Sequence, residues 1–235
     1  MNYRAIIPNL FTSLNLVFGM CSILSTYDGD LTMGSLFILI ALVADGLDGR
    51  TARFFGVAGE MGKEMDSLCD LVSFGAAPAF LAYVYHLHEF GALGWAAAIF
   101  FAVCGMGRLA RFNVNANVVH GYFMGLAIPA GGCLVATSTW LFRSIGFDPH
   151  VLGLAYPIAF MVVAYLMFSR IHYPNFKGDG GEPVYLASKM LALVLFAMCL
   201  FFGRNALPQA VLFAVFVTYA VSGIFNYSLA LMQRN

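Results

Sequence analysis

The chain has 235 residues, 61% of them hydrophobic and 10% charged, with 12 Lys and Arg balanced by 12 Asp and Glu. Soluble domains carry about 25% charged residues, so this chain lacks the polar surface that water would require, and a mean hydropathy of +0.82 assigns it to a bilayer. The zero net charge excludes a nucleic-acid partner, whose binding needs an excess of Lys and Arg to replace phosphate counterions.

A helix crossing the hydrocarbon needs about 20 apolar residues. Runs near that length are predicted at roughly 10–27, 31–53, 62–86, 90–112, 122–142, 150–169, 187–203 and 206–230, with short segments between them holding most of the charge. Their apolarity has no dyad alternation, which rules out a membrane β-barrel and leaves helices, since lipid offers the backbone no hydrogen-bond partner. The expected fold is an all-α membrane protein: a polytopic helical bundle of about eight transmembrane helices, forming one domain over residues 1–235. The first run is followed directly by a turn and a second run, without a small-residue cleavage site, and reads as a retained span. The longest polar stretch, about 170–186, joins the sixth and seventh runs. No internal repeat is visible, so a transporter built of duplicated halves gains no support.

Eight crossings put both termini on one side. With the N-terminus inside, Arg4, Arg50, Arg53, Lys63, Arg108, Arg111, Arg170, Lys177, Lys189 and Arg234 fall at the cytoplasmic face, and Arg143 and Arg204 outside. Cys21, Cys69, Cys104, Cys133 and Cys199 stand singly in apolar stretches and read as small buried hydrophobes. His86, His88, His120, His150 and His172 lie near span ends and are not read as metal ligands. Trp95 and Trp140 read as interfacial anchors.

The chemistry lies in Asp45, Asp48, Asp66 and Asp70, four carboxylates within two predicted spans. Ionised groups at membrane depth cost several kcal/mol each unless paired or metal-bound, and so mark a site by default. At 100° per residue, Asp45, Asp48, Gly49, Ala52 and Arg53 share a stripe about 140° wide on the second span. Gly62, Asp66, Ser73 and Ala77 cluster on the third, with Asp70 one turn beyond Asp66. The loop at 54–61 makes these spans antiparallel neighbours, so the two acidic faces converge just inside the cytoplasmic boundary. Oxygen ligands without Cys or His favour Mg²⁺, Mn²⁺ or Ca²⁺, and a pair of such ions suits displacement at phosphorus. Gly49, Ala52 and Gly62 either make room for an extended ligand or serve tight helix packing.

The spacing Asp45-x2-Asp48-Gly49-x2-Ala52-Arg53-x8-Gly62-x3-Asp66-x3-Asp70 resembles, at every defined position, the signature of the CDP-alcohol phosphatidyltransferase family. The stretches Pro8 to Asn15, Arg108 to Asn113, Phe123 to Ala130 and Ser169 to Lys177 are similar to its serine-accepting members, which usually carry proline where this chain has Ala127. The resemblance implies an integral enzyme of the cytoplasmic (inner) membrane, active site facing the cytoplasm, that moves the phosphatidyl group of CDP-diacylglycerol onto the hydroxyl of L-serine and releases CMP. It implies two divalent ions, Mg²⁺ or Mn²⁺, held by Asp45, Asp48, Asp66 and Asp70, with Asp70 also taking the acceptor's proton. Asn9, Thr12, Gly49, Ala52, Arg53 and Gly62 would bind the CDP-lipid, and Arg108, Arg111, Asn113, Arg170 and Lys177 the acceptor or a phosphate. Family members are similar in forming homodimers.

Bland roles exist for several of these: Arg108, Arg111, Arg170 and Lys177 could be positive-inside anchors, Asn9 and Thr12 helix caps, and Lys63 and Glu64 read as solvated. Two other functions compete. One keeps the chemistry with another acceptor, glycerol 3-phosphate or an inositol phosphate. The other is a cation transporter, which would need acids continuing toward the outer face, where none follow.

Overall fold

The structure, a computed structural model, describes residues 6–57, 59–115, 122–174 and 185–234. Each predicted span corresponds to a helical segment. These are α1 (Ile6–Tyr27), α2 (Leu31–Phe55), α3 (Glu60–Asp70) continued by α4 (Ala77–Tyr85), α5 (Ala92–Asn115), α6 (Ile128–Ser144), α7 (Ala155–Phe168), α8 (Leu186–Phe202) and α9 (Leu207–Arg234). Five segments, 6–27, 31–55, 60–85, 92–114 and 204–230, are long and apolar enough to cross a membrane, which makes this an integral membrane protein. Of the rest, α6 and α8 have 17 residues each and α7 has 14, or about 21 Å of α-helix for the shortest against a hydrocarbon core of about 30 Å.

Two boundaries differ from expectation. The fifth run does not begin as helix at 122: Tyr122–Met124 is a short strand (β1) paired antiparallel with His172–Pro174 (β2). Gly125 follows at φ +78, and the N–H groups of Gly125 and Leu126 donate to the carbonyls of Ile171 and Leu166, 2.9 and 3.0 Å away. The chain is thereby committed to a ribbon until Pro129 opens α6 at its second position. The third span, expected to run unbroken, widens to a π-turn over Leu71–Ala76, where the Ala77 N–H reaches back to the Val72 carbonyl. The cause is Pro78, which has no N–H for the Phe74 carbonyl one turn earlier and whose ring would crowd it.

The two-stranded ribbon is anchored from behind. Tyr173 is fully buried, its hydroxyl donates to the Ala220 carbonyl at 3.1 Å, and its ring lies so close over Gly223 that a Cβ there would collide with it. Around this anchor α1 packs along α2, α5 against α7, and α6 against both α2 and α9. Phe74, Phe101, Ile38, Leu81, Ile128 and Met167 form the fully buried centre. Leu193, Phe201 and Phe202 of α8 point outward into the space of the acyl chains. What this frame does for the site is to set α1 beside both acid-bearing helices, at the end where α2 turns into α3.

Candidate active site

Asp30 starts α2 by accepting a hydrogen bond from the Met33 N–H at 3.0 Å, and Gly56, at φ +63, stops it. Only residues 56–59 separate α2 from α3, so the helices must turn back on each other and the acids near that turn face one another. Asp45, Asp48 and Asp66 each bring a carboxylate oxygen within 4.8 Å of the others. Asp70, one turn deeper, lies in the electrostatic field of all three. Asp48 is 5% exposed and Asp70 is 7% exposed.

Helix α1 holds two of these acids by their side chains. The Thr12 hydroxyl donates to Asp48 Oδ2 at 2.8 Å, and the Asn15 amide donates to Asp70 Oδ1 at 2.9 Å. Thr12 and Asn15 are three residues apart and therefore on one face; one serves the acid of α2 and the other the acid of α3. Asn15 is itself held, since its backbone carbonyl accepts the Ser73 hydroxyl at 2.8 Å from the π-turn, and Gly19 lets that turn approach, a Cβ there being impossible against Ser73. Asn15 was not singled out from the sequence. The signal was present in the spacing of Asn9, Thr12 and Asn15, three polar residues at one-turn intervals in an apolar helix.

A cavity of about 590 Å³ opens beside the acids, lined by Asn9, Thr12, Asp48, Gly49, Ala52, Arg53, Gly62, Lys63 and Asp66 among others. All six residues expected to bind the CDP-lipid are on its wall. Gly49 and Gly62 face space: a Cβ on Gly49 would meet nothing nearer than Arg53 Nη1 at 3.8 Å, and one on Gly62 nothing nearer than Asn9 Oδ1 at 4.0 Å. Neither glycine serves close helix packing.

The donor set fits a hard divalent cation. Asp66 Oδ1 is buried without a hydrogen-bond partner, and among the described residues Asp48, Asp66 and Asp70 make no ion pair with Lys or Arg. Clustered carboxylates, one of them with an orphaned oxygen, suit such a divalent ion. Asp45, Asp48 and Asp66 are the residues that would hold it.

The expected acceptor residues separate. Arg108 is 7% exposed, donates no hydrogen bond among the described residues, and has its Nε buried without a partner; it lies in the field of Asp70 without touching it. Arg111, expected to grip a substrate, does something else. Its Nη1 donates to the Phe168 carbonyl at 2.8 Å, and its Nη2 to those of Ser169 and Met124 at 2.9 and 3.1 Å. Three backbone oxygens at the end of α7 and on β1 occupy the guanidinium, so its role is to fasten the ribbon. Asn113 bonds the Ser67 hydroxyl at 2.9 Å. Arg170 is exposed, and Lys177, like Arg4 and His120, lies outside the described residues. Lys63, read as solvated, instead lines the cavity and donates to the Asn113 carbonyl at 3.1 Å, and Glu64 accepts from the Asn113 amide at 3.4 Å.

The sequence profile of the CDP-alcohol phosphatidyltransferase family matches residues 5–220. The chain belongs to that family. Among CDP-alcohol phosphatidyltransferases it is similar to the CDP-diacylglycerol–serine O-phosphatidyltransferase of Helicobacter pylori, 34% identical over 94% of this chain and 92% of the relative. It is 36% identical to the enzyme of that name from Bacillus subtilis, over 77% of this chain and 96% of the relative. The archaetidylserine synthase of Methanothermobacter thermautotrophicus is 36% identical over 75% of this chain and 72% of the relative. The matched segment contains every element that builds the site, from α1 to the start of α9.

Proposed function

We propose that this protein transfers the phosphatidyl group of CDP-diacylglycerol to the hydroxyl of L-serine, releasing CMP, at a site that opens to the cytoplasm from the inner membrane. The observation that carries the chemistry is the convergence of Asp45, Asp48 and Asp66 within 4.8 Å beside a cavity whose glycines leave room against the backbone. The acceptor is supported by the names of the relatives, in which serine recurs while the lipid differs, and by Arg108, a buried guanidinium near the acids that makes no hydrogen bond or ion pair among the described residues. A bidentate grip on an amino acid's carboxylate is the interaction such a group makes best.

In this reading the CDP-lipid enters from the bilayer, with its pyrophosphate along Gly49, Ala52 and Arg53. Arg53 neutralises charge that grows on the departing CMP. Asp70, held by Asn15, takes the proton of the serine hydroxyl as its oxygen bonds to the lipid-side phosphorus and the bond from that phosphorus to the CMP oxygen breaks. Divalent ions held by Asp45, Asp48 and Asp66, with Asp70, would supply charge neutralisation and polarisation of the phosphoryl oxygens. Arg108 positions serine through its carboxylate. The working form is a homodimer, supported by the family resemblance.

The test is turnover by purified protein in mixed micelles with CDP-diacylglycerol, labelled serine and Mg²⁺ or Mn²⁺. Phosphatidylserine and CMP should appear in equal amounts, stop on chelation and resume when the metal is restored. Product from glycerol 3-phosphate or an inositol phosphate, with none from serine, would overturn the acceptor. Activity indifferent to exhaustive chelation would overturn the metal.

A further inference from the structure

At the opposite end of the bundle from the aspartates, the turns that precede α5 and α7 bring together three metal-ligating side chains. His86 Nδ1 lies 3.3 Å and His150 Nδ1 lies 3.1 Å from the same oxygen of Glu89, and the three ligand atoms are all within 4.8 Å of one another. His86 closes α4, Glu89 sits in the single turn Leu87–Phe90, and His150 in the turn Pro149–Leu152. We propose that these residues form a site for a transition-metal ion of the Zn²⁺ class, tying the two outer turns together.

Three observations support it. His86 is 1% exposed, and neither of its ring nitrogens makes a hydrogen bond. An unsatisfied buried polar group is destabilising, and the approach of Nδ1 to the carboxylate oxygen does not relieve it, having the distance of a contact without the direction of a hydrogen bond. Next, the separations are those of ligands sharing one ion. Tetrahedral coordination with bonds of about 2.0–2.1 Å places ligand atoms about 3.3 Å apart, close to what Glu89 Oε2 shows toward each imidazole. Finally, two imidazoles with one carboxylate select Zn²⁺ or a neighbouring transition metal, and not the hard ions suited to the aspartates. The rings of Phe90 and Tyr156, each with its centroid 5.2 Å from that of His86, wall the buried side of the site, and His150 and Glu89 leave its other side open to solvent. From Asp70 to His86 the span rises about 24 Å, so the two sites cannot share an ion. These histidines are not legible as ligands along the chain, because Glu89 and His150 are far apart in it and no ligand-spacing motif links them.

The experiment is equilibrium Zn²⁺ titration, with a chelating indicator, of the tag-free full-length protein in detergent, with millimolar Mg²⁺ present throughout to occupy the aspartates. One equivalent of Zn²⁺ should bind. His150→Ala and Glu89→Gln, both at accessible positions, should weaken binding by at least about tenfold while leaving Mg²⁺-supported transferase activity unchanged. His88→Ala should retain it, since that ring faces outward and its Nδ1 approaches the Tyr83 carbonyl at 3.1 Å. Co²⁺ should give a visible absorption band that His150→Ala abolishes. Equal Zn²⁺ binding by the unaltered protein and His150→Ala, or no binding by either, would overturn the proposal.

Discussion

Replacing Asn15 by Ala removes one hydrogen-bond donor without adding bulk. Alanine is smaller than asparagine, and Asn15 is fully buried between α1 and the third span, so nothing forces the helices apart. What disappears is the amide that donates to Asp70 Oδ1 at 2.9 Å. A hydrogen bond to a charged group contributes about 1.5–3 kcal/mol. If that energy holds the Asp70 carboxylate in the orientation from which it takes the acceptor's proton, the loss falls on the transition state and kcat drops about 10- to 150-fold. The KM for CDP-diacylglycerol should move little, because the nucleotide wall at Gly49, Ala52 and Arg53 is untouched. The assay is steady-state phosphatidylserine formation in mixed micelles, varying each substrate in turn, with size-exclusion behaviour as the check of folding. A folded Asn15→Ala protein with kcat within twofold of the parent would refute the reasoning, because Asp70 would then need no help from α1.

Other substitutions probe different links. Gly49→Leu should raise the KM for the CDP-lipid at least about tenfold in a stable protein, as its side chain enters open space, whereas Gly132→Ala should lower thermal stability by about 1–3 kcal/mol, its Cβ falling 2.7 Å from the Phe74 carbonyl oxygen. Arg108→Ala should raise the KM for serine at unaltered stability, while Arg111→Ala, which releases three backbone carbonyls, should cost on the order of 2–4 kcal/mol in an unfolding experiment. Ala127→Pro should stabilise by about 0.4–1 kcal/mol, since Ala127 already has φ −59 and ψ 136; a fall in melting temperature would contradict this. In a background with the five native cysteines replaced by Ala, an impermeant thiol reagent should label Met61→Cys from the cytoplasmic side only and Val151→Cys from the outer side only.

The number and order of helical segments and the acid signature are local properties, legible because each follows from a run of neighbouring residues. Hydropathy needs only about 20 residues to declare a helix, and a spacing of three or four residues places two aspartates on one face whatever lies around them. The π-turn was equally written, in Pro78, though only against the Phe74 carbonyl that it leaves without a donor. Residues distant in sequence are another matter. Nothing near Asn15 names Asp70, 55 residues away, and nothing near Arg111 distinguishes a guanidinium reaching for substrate from one tied to carbonyls 57 and 58 residues further on. Such pairings depend on which helix faces lie side by side, which is decided by packing: Gly19 against Ser73, Gly132 against Phe74, Tyr173 over Gly223. The acids and their chemical character were therefore determined by the sequence alone. Which donors hold them, which arginine stays uncommitted beside them, and which histidines meet at the far end were decided by the tertiary structure, because contacts across a bundle obey the geometry of close-packed surfaces and leave no periodic trace along the chain.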